Sequence, residues 1–190
     1  MAVDNSYIMS PKDLCTIGFI DKMIDAGVRV FKVEGRARGP EYVKTVGICY
    51  NEALEAYCNN TYSTTKITAW TERLQTVFNR GFWDGYYLGR SMAELNDAHG
   101  SKATRRKEYI ALCSNYFSKL GVGEFQMQSG SLSVGDHILI IGPTTGVVEM
   151  AVPEIRVDLK PVAQAMKGEV FSMPLPQLVR RSDKIYKWSD

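Results

Sequence analysis

The chain changes its periodicity once, and that change limits its fold more than any other feature. Up to about residue 90, apolar residues recur at helical spacing between short β-branched runs. From Glu108 onward they come in short alternating runs cut by glycine and proline. The break falls at a basic knot of Lys102, Arg105, Arg106 and Lys107. The pattern reads as an α/β part followed by an all-β part.

In the front part, Tyr7-Ile8-Met9 reads as a strand and Ser10 as a helix cap. Pro11 stands at the first helical position, and Asp13, three residues after the cap, completes an approximate capping box. Leu14, Ile17, Ile20, Met23 and Ile24 predict a helix over 11–26, ended by Gly27. Val28 to Val33 alternates and is rich in β-branched residues, which predicts a strand. Tyr42, Val43, Val46, Tyr50, Leu54 and Tyr57 share a face of a helix predicted over 40–57, and 66–78 gives another. This alternation is the grammar of parallel α/β folds. Asn79 to Arg90 is a glycine-punctuated aromatic loop, and 91–107 is a polar connection.

The back part predicts strands at Tyr109–Cys113, His137–Ile141, Val147–Arg156, Gly168–Ser172 and Lys184–Trp188. Turns are expected at Gly121 to Gly123 and at Gly142 to Gly146. Short strands so spaced suit a small antiparallel barrel or sandwich.

Composition excludes little. At 190 residues, 45% apolar and 23% charged, the chain suits one middling domain or two small ones. No apolar run reaches the length of a membrane span, and the first ten residues lack the features of a signal peptide, so a cytoplasmic protein is expected. With 23 basic residues against 21 acidic ones, net charge gives no argument for a nucleic-acid partner. Cys15, Cys49, Cys58 and Cys113 show neither CxxC nor a short metal-ligand spacing and read as buried thiols. His99 and His137 have no recognisable nucleophile motif nearby.

The residues most suggestive of chemistry follow the predicted strand: Glu34-Gly35-Arg36-Ala37-Arg38-Gly39-Pro40. In parallel α/β folds, ligands sit at the carboxyl ends of strands. Two guanidinium groups beside glycines could bind an anion, or Glu34 and Arg36 could pair with each other and tie the rim together. The loop from Arg80 to Arg90 could stack nucleobases or serve as ordinary packing.

Ile8 to Cys15, Asp25-Ala26-Gly27-Val28, Phe31 to Arg36 and Glu41-Tyr42-Val43 together resemble the closing part of the catalytic domain of the collagenase-like peptidase family U32. Asn79-Arg80-Gly81-Phe82 and Gly85 to Gly89 look like that family's segment after the barrel, and 108–190 is similar to its C-terminal β domain, including Val134-Gly135-Asp136. The resemblance implies an α+β molecule: the end of a TIM-like (β/α) barrel over 1–90, a linker over 91–107 and a small antiparallel β-barrel over 108–190. Family members are named as peptidases, and several act as oxygen-independent, prephenate-dependent hydroxylases of tRNA or rRNA, or as hydroxylases of a quinone precursor. Some carry a four-iron, four-sulfur cluster held by four cysteines. Carried over, Glu34 and Arg36 are candidate catalytic residues. Arg38, Arg80, Phe82 and Tyr86 are candidate substrate contacts, and Cys15 matches one cluster ligand.

A complete (β/α)₈ barrel takes about 250 residues, and only its final one or two βα units are recognisable here. The expectation is therefore a C-terminal piece that is catalytically incomplete and holds no cofactor alone, with an iron–sulfur cluster belonging to the full-length protein. Its partners would be the missing N-terminal barrel portion or a partner subunit, an RNA or peptide substrate, or another copy meeting exposed barrel edges, and no membrane. The alternative is a non-catalytic RNA- or protein-binding module.

Overall fold

Ile17 and Ile20, both inaccessible to solvent, set the centre of the front part and oblige the surrounding elements to pack around them. In the computed structural model, which describes residues 11–89 and 100–189, these elements are β1 (Asp13–Leu14), α1 (Ile20–Asp25), α2 (Pro40–Cys58), α3 (Thr64–Gln75) and β2 (Phe82–Trp83). The chain divides into two units at Thr104 and Arg105.

The first unit has a small core of Ile17, Ile20, Val46, Cys49, Ala53, Ala56, Trp70 and Leu74. Helix α2 starts at Pro40, where a missing N–H costs nothing, and buries a stripe at i, i+3, i+7 and i+10. That stripe, Val46, Cys49, Ala53 and Ala56, is displaced from the aromatic face expected from the sequence. Tyr42, Tyr50 and Leu54 pack beside it, while Val43 is exposed. The smaller side chains occupy the closest helix contacts, and the larger ones flank them. Helix α3 is capped by Ser63, whose hydroxyl accepts from the Lys66 N–H at 3.5 Å.

Two expectations for the front part are corrected. The helix predicted over 11–26 forms only as α1; Asp13 and Leu14 instead pair in parallel with Phe82 and Trp83. The Asp13 N–H donates to the Gly81 carbonyl and the Cys15 N–H to the Trp83 carbonyl, both at 2.9 Å, so a distant segment claims backbone groups a helix would have used. Residues 28–33 form no regular element, because no described strand lies beside them to complete a ladder. The Tyr7–Met9 strand, the Ser10 cap, Arg90 and His99 lie outside the described residues.

Among the described residues the second unit contains ten strands: β3 (Arg106–Phe117), β4 (Val122–Met127), β5 (Ser131–Ser133), β6 (His137–Gly142), β7 (Gly146–Ala151), β8 (Ile155–Val157), β9 (Lys160–Val162), β10 (Gln164–Met166), β11 (Val170–Pro174) and β12 (Lys184–Ser189). Eight make one sheet in the order β7-β6-β12-β3-β4-β11-β8-β9, and β10 pairs with β5 in a separate ribbon. Every pairing in this unit is antiparallel. The run expected as one strand over Val147–Arg156 is divided into β7 and β8 at Val152-Pro153.

Alternation buries one face of each strand, most regularly in β4, where Gly123, Phe125 and Met127 point inward. Phe125 and Phe171 stack in the core with ring centroids 5.5 Å apart. Leu132 of β5 and Ala165 of β10 belong to the same core, so the ribbon helps enclose it. Each fully buried side chain of this size contributes about 1.5–3 kcal/mol.

A buried carboxylate fastens the hairpin between β6 and β7. Asp183 Oδ2 accepts from Thr145 Oγ1 at 2.5 Å and from the Arg180 N–H at 2.8 Å. A Cβ on Gly142 would fall 1.8 Å from Asp183 Oδ1, so only glycine fits there. The chain is thus mixed α and β with a large antiparallel sheet. Among the described residues, no helix is long and apolar enough to cross a membrane.

Candidate functional site

Asp13 is held by the β1–β2 pairing at the edge of a cavity of about 850 Å³ in the first unit. Its carboxylate gathers two arginines remote in sequence. Oδ1 accepts from the Arg38 guanidinium at 3.1 Å and from that of Arg80 at 3.3 Å, and Oδ2 accepts from the Arg80 N–H at 2.9 Å. The side chains of Asp13 and Arg38 are only 16% and 18% exposed, so the pair is partly shielded from water. The Arg38 guanidinium also lies 4.1 Å from the Phe78 ring centroid and 5.6 Å from that of Tyr42. Its fork is therefore held by rings as well as by charge.

Residues 35–38 form the turn that delivers Arg38. The Arg38 N–H donates to the Gly35 carbonyl at 3.1 Å, and Ala37 adopts φ +58°, a left-handed conformation unfavourable for alanine. Glu34 Oε1 accepts from the Arg36 N–H at 2.6 Å, so the contact here is carboxylate to backbone rather than carboxylate to guanidinium.

Glu34, Arg36, Arg38 and Arg80 all line the cavity, together with Asp13 and Lys32. Four cationic side chains thus face two carboxylates. Met23, Phe31 and Val46 give the same cavity an apolar portion. Tyr50, also in the lining, accepts from the Thr16 N–H at 3.0 Å. Burial and the neighbouring Cys15 push its phenol up to about 12, so it remains a neutral hydroxyl.

The other candidates lie elsewhere. Phe82 packs against the core of the first unit, and Tyr86 sits edge-on to Trp83 with ring centroids 5.0 Å apart. Cys15 lies beside the cavity residue Tyr50, whose hydroxyl is 4.0 Å from its sulfur. Burial raises the Cys15 thiol above its ordinary value. Cys49 is buried in the helical core, Cys58 is exposed at the end of α2, and Cys113 is buried in the second unit. Among the described residues, no group of three or more His, Cys, Asp or Glu side chains is placed to hold a metal ion. These residues do not by themselves fit a four-cysteine iron–sulfur cluster.

Sequence reasoning missed Asp13 as the organiser, since it reads there as a helix-cap acid. The available signal was electrostatic: Arg38 and Arg80 both pair with one carboxylate, but spacing does not say which one.

The chain is thus of mixed α and β architecture, with a cavity in its first unit lined mainly by the segment 28–38 and by α2 and rich in cationic side chains. The model of peptidase family U32 matches residues 2–97, just over half of the chain, and the chain belongs to that family. A collagenase of Porphyromonas gingivalis is 59% identical over 186 residues, covering 98% of this chain and 45% of that protein. An uncharacterized protease of Methanocaldococcus jannaschii is 34% identical over 96% of this chain and 45% of its own length. The tRNA hydroxylation protein P1 of Bacillus subtilis is 31% identical over 74% of this chain and 33% of its own. The chain spans about half the length of the collagenase and protease relatives.

Proposed function

We propose that this chain is the C-terminal part of a U32 enzyme, that its first unit closes a TIM-like barrel begun upstream, and that the cavity binds an anionic group of a tRNA substrate. The observation that carries this reading is the excess of cations around one cavity, with Arg38 and Arg80 set by Asp13. Bidentate guanidinium groups suit phosphate and carboxylate oxygens, and pre-orientation by a carboxylate and two rings lowers the entropy lost on binding. Arg36 and Glu34 would stand at the rim as the residues nearest the reacting group. The names of the tRNA hydroxylation relatives agree with a phosphate-bearing substrate.

Exposed apolar residues support the barrel reading. Val30 is 84% exposed and Leu14 53% exposed, and the β-branched run 28–33 has no ladder partner among the described residues. A strand supplied from upstream would pair with that run and cover those side chains. Any iron–sulfur cluster would take Cys15 alone from this chain and its other thiolates from the upstream part.

The 59% identity to a collagenase favours a second reading, in which the arginines hold a peptide carboxylate. The whole protein, upstream half included, should be expressed in a bacterium lacking tRNA hydroxylation and the tRNA nucleosides weighed by mass spectrometry. One added oxygen atom is expected, and Arg38→Ala should abolish it. Gelatin cleavage by the same preparation, with unaltered tRNA, would transfer the assignment to peptide hydrolysis.

A further inference from the structure

The outer face of β3 and β12 carries an aromatic and cationic strip with no part in the cavity of the first unit. On β12, Lys184, Tyr186 and Trp188 stand two residues apart; along β3 and the residue before it, Arg105, Lys107 and Tyr109 do the same. Ile185, between Lys184 and Tyr186, is buried in the core, as is Ile110, which follows Tyr109. The antiparallel register sets Tyr186 opposite Tyr109, with ring centroids 5.8 Å apart, and Trp188 opposite Lys107. Lys107 Nζ lies 4.9 Å from the Tyr186 ring centroid, Lys184 Nζ 5.8 Å from that of Tyr109, and the Arg105 guanidinium 5.7 Å from that of Trp188. Trp188 also reaches across β6 to donate from Nε1 to Glu149 Oε1 at 3.2 Å, which places a carboxylate beside the strip.

We propose that this strip is a binding surface for single-stranded nucleic acid. Each of three rings has a cation beside it, so a stacked base finds a phosphate contact within one position along or across the strands. Tyr109 is exposed and Tyr186 and Trp188 are half-buried, so each of these cation–ring contacts is a weak one. Moving the cation to a phosphate gains a charge-assisted contact and frees the ring face for a base. An acidic protein would satisfy the cations but leave the ring faces without a planar partner, so nucleic acid is the better fit.

The test uses the full chain and a fluorescein-labelled oligouridylate, followed by fluorescence anisotropy over a series of salt concentrations. Saturable binding is expected, with a log–log salt slope of about −2 if three phosphates are neutralised at about −0.7 each. The double variant Lys107→Glu/Lys184→Glu should weaken it about tenfold or more, and Tyr109→Leu/Tyr186→Leu should weaken it by roughly fivefold or more through lost stacking. The control Lys160→Glu/Lys167→Glu, the same charge change at exposed positions outside both the strip and the cavity, should leave it unchanged. No binding at low salt, no effect of the Lys107→Glu/Lys184→Glu charge reversal, or equal weakening by Lys160→Glu/Lys167→Glu would overturn the proposal. Polyglutamate binding as tightly as oligouridylate would instead assign the strip to an acidic protein.

Discussion

Cys113 shows how burial at one residue becomes a property of the β unit. Removal from water, with the Asp183 carboxylate next in importance, pushes its thiol from 9.0 up to about 11. The folded protein therefore keeps this proton to a higher pH than the unfolded chain does. The resulting stabilisation is complete below about pH 9 and is lost as pH rises through about 11. Urea midpoints of wild type and Cys113→Ala, compared from pH 8 to 11, should converge as pH rises; parallel curves would show that Cys113 carries none of the alkaline loss. At the cavity, one carboxylate has a comparable reach, since Asp13 fixes two guanidinium groups 25 and 67 residues away.

At the scale of elements, local chemistry settles some ends and distant pairing settles others. Ser63 caps α3 through its own hydroxyl, so Ser63→Ala should cost about 1 kcal/mol, while Ser63→Gly should cost only a few tenths. A melting temperature lowered equally by both substitutions would show that the hydroxyl is not the cause. The helices α2 and α3 were legible because their apolar residues repeat with the turn of a helix. The segment 11–15 misleads because Ser10 and Pro11 carry good helix-entry chemistry, yet the backbone of 79–83 lies alongside and offers a ladder. The short strands β5, β9 and β10, three residues each, contain too few positions for alternation to register.

Over the whole molecule, the two units differ in how they hold themselves together. The second has one contiguous core spanning most of its strands, from Ile110 to Ile185, whereas the first buries fewer large side chains. Residues 105–190 expressed alone should therefore unfold in one cooperative thermal transition with dispersed amide resonances. Broad melting with strong binding of a hydrophobic dye would refute that independence. In the β unit, Gly142 and Asp183 fit together only because β6 and the segment before β12 meet.

The sequence by itself determined the long helices, the strands β3, β6, β7, β11 and β12 though not β4, the resemblance to U32 proteins and the cationic character of the loop after Val33. Each depends on residue type or on a short repeat, and local burial leaves both visible in the chain. Tertiary structure alone decided that Asp13 joins Arg38 to Arg80, that 28–33 stays outside any ladder, and that tyrosines 77 positions apart come side by side on one sheet face. Those outcomes depend on which backbone and charged groups meet after the chain has closed on itself, and pairing across such separations leaves no period in the sequence.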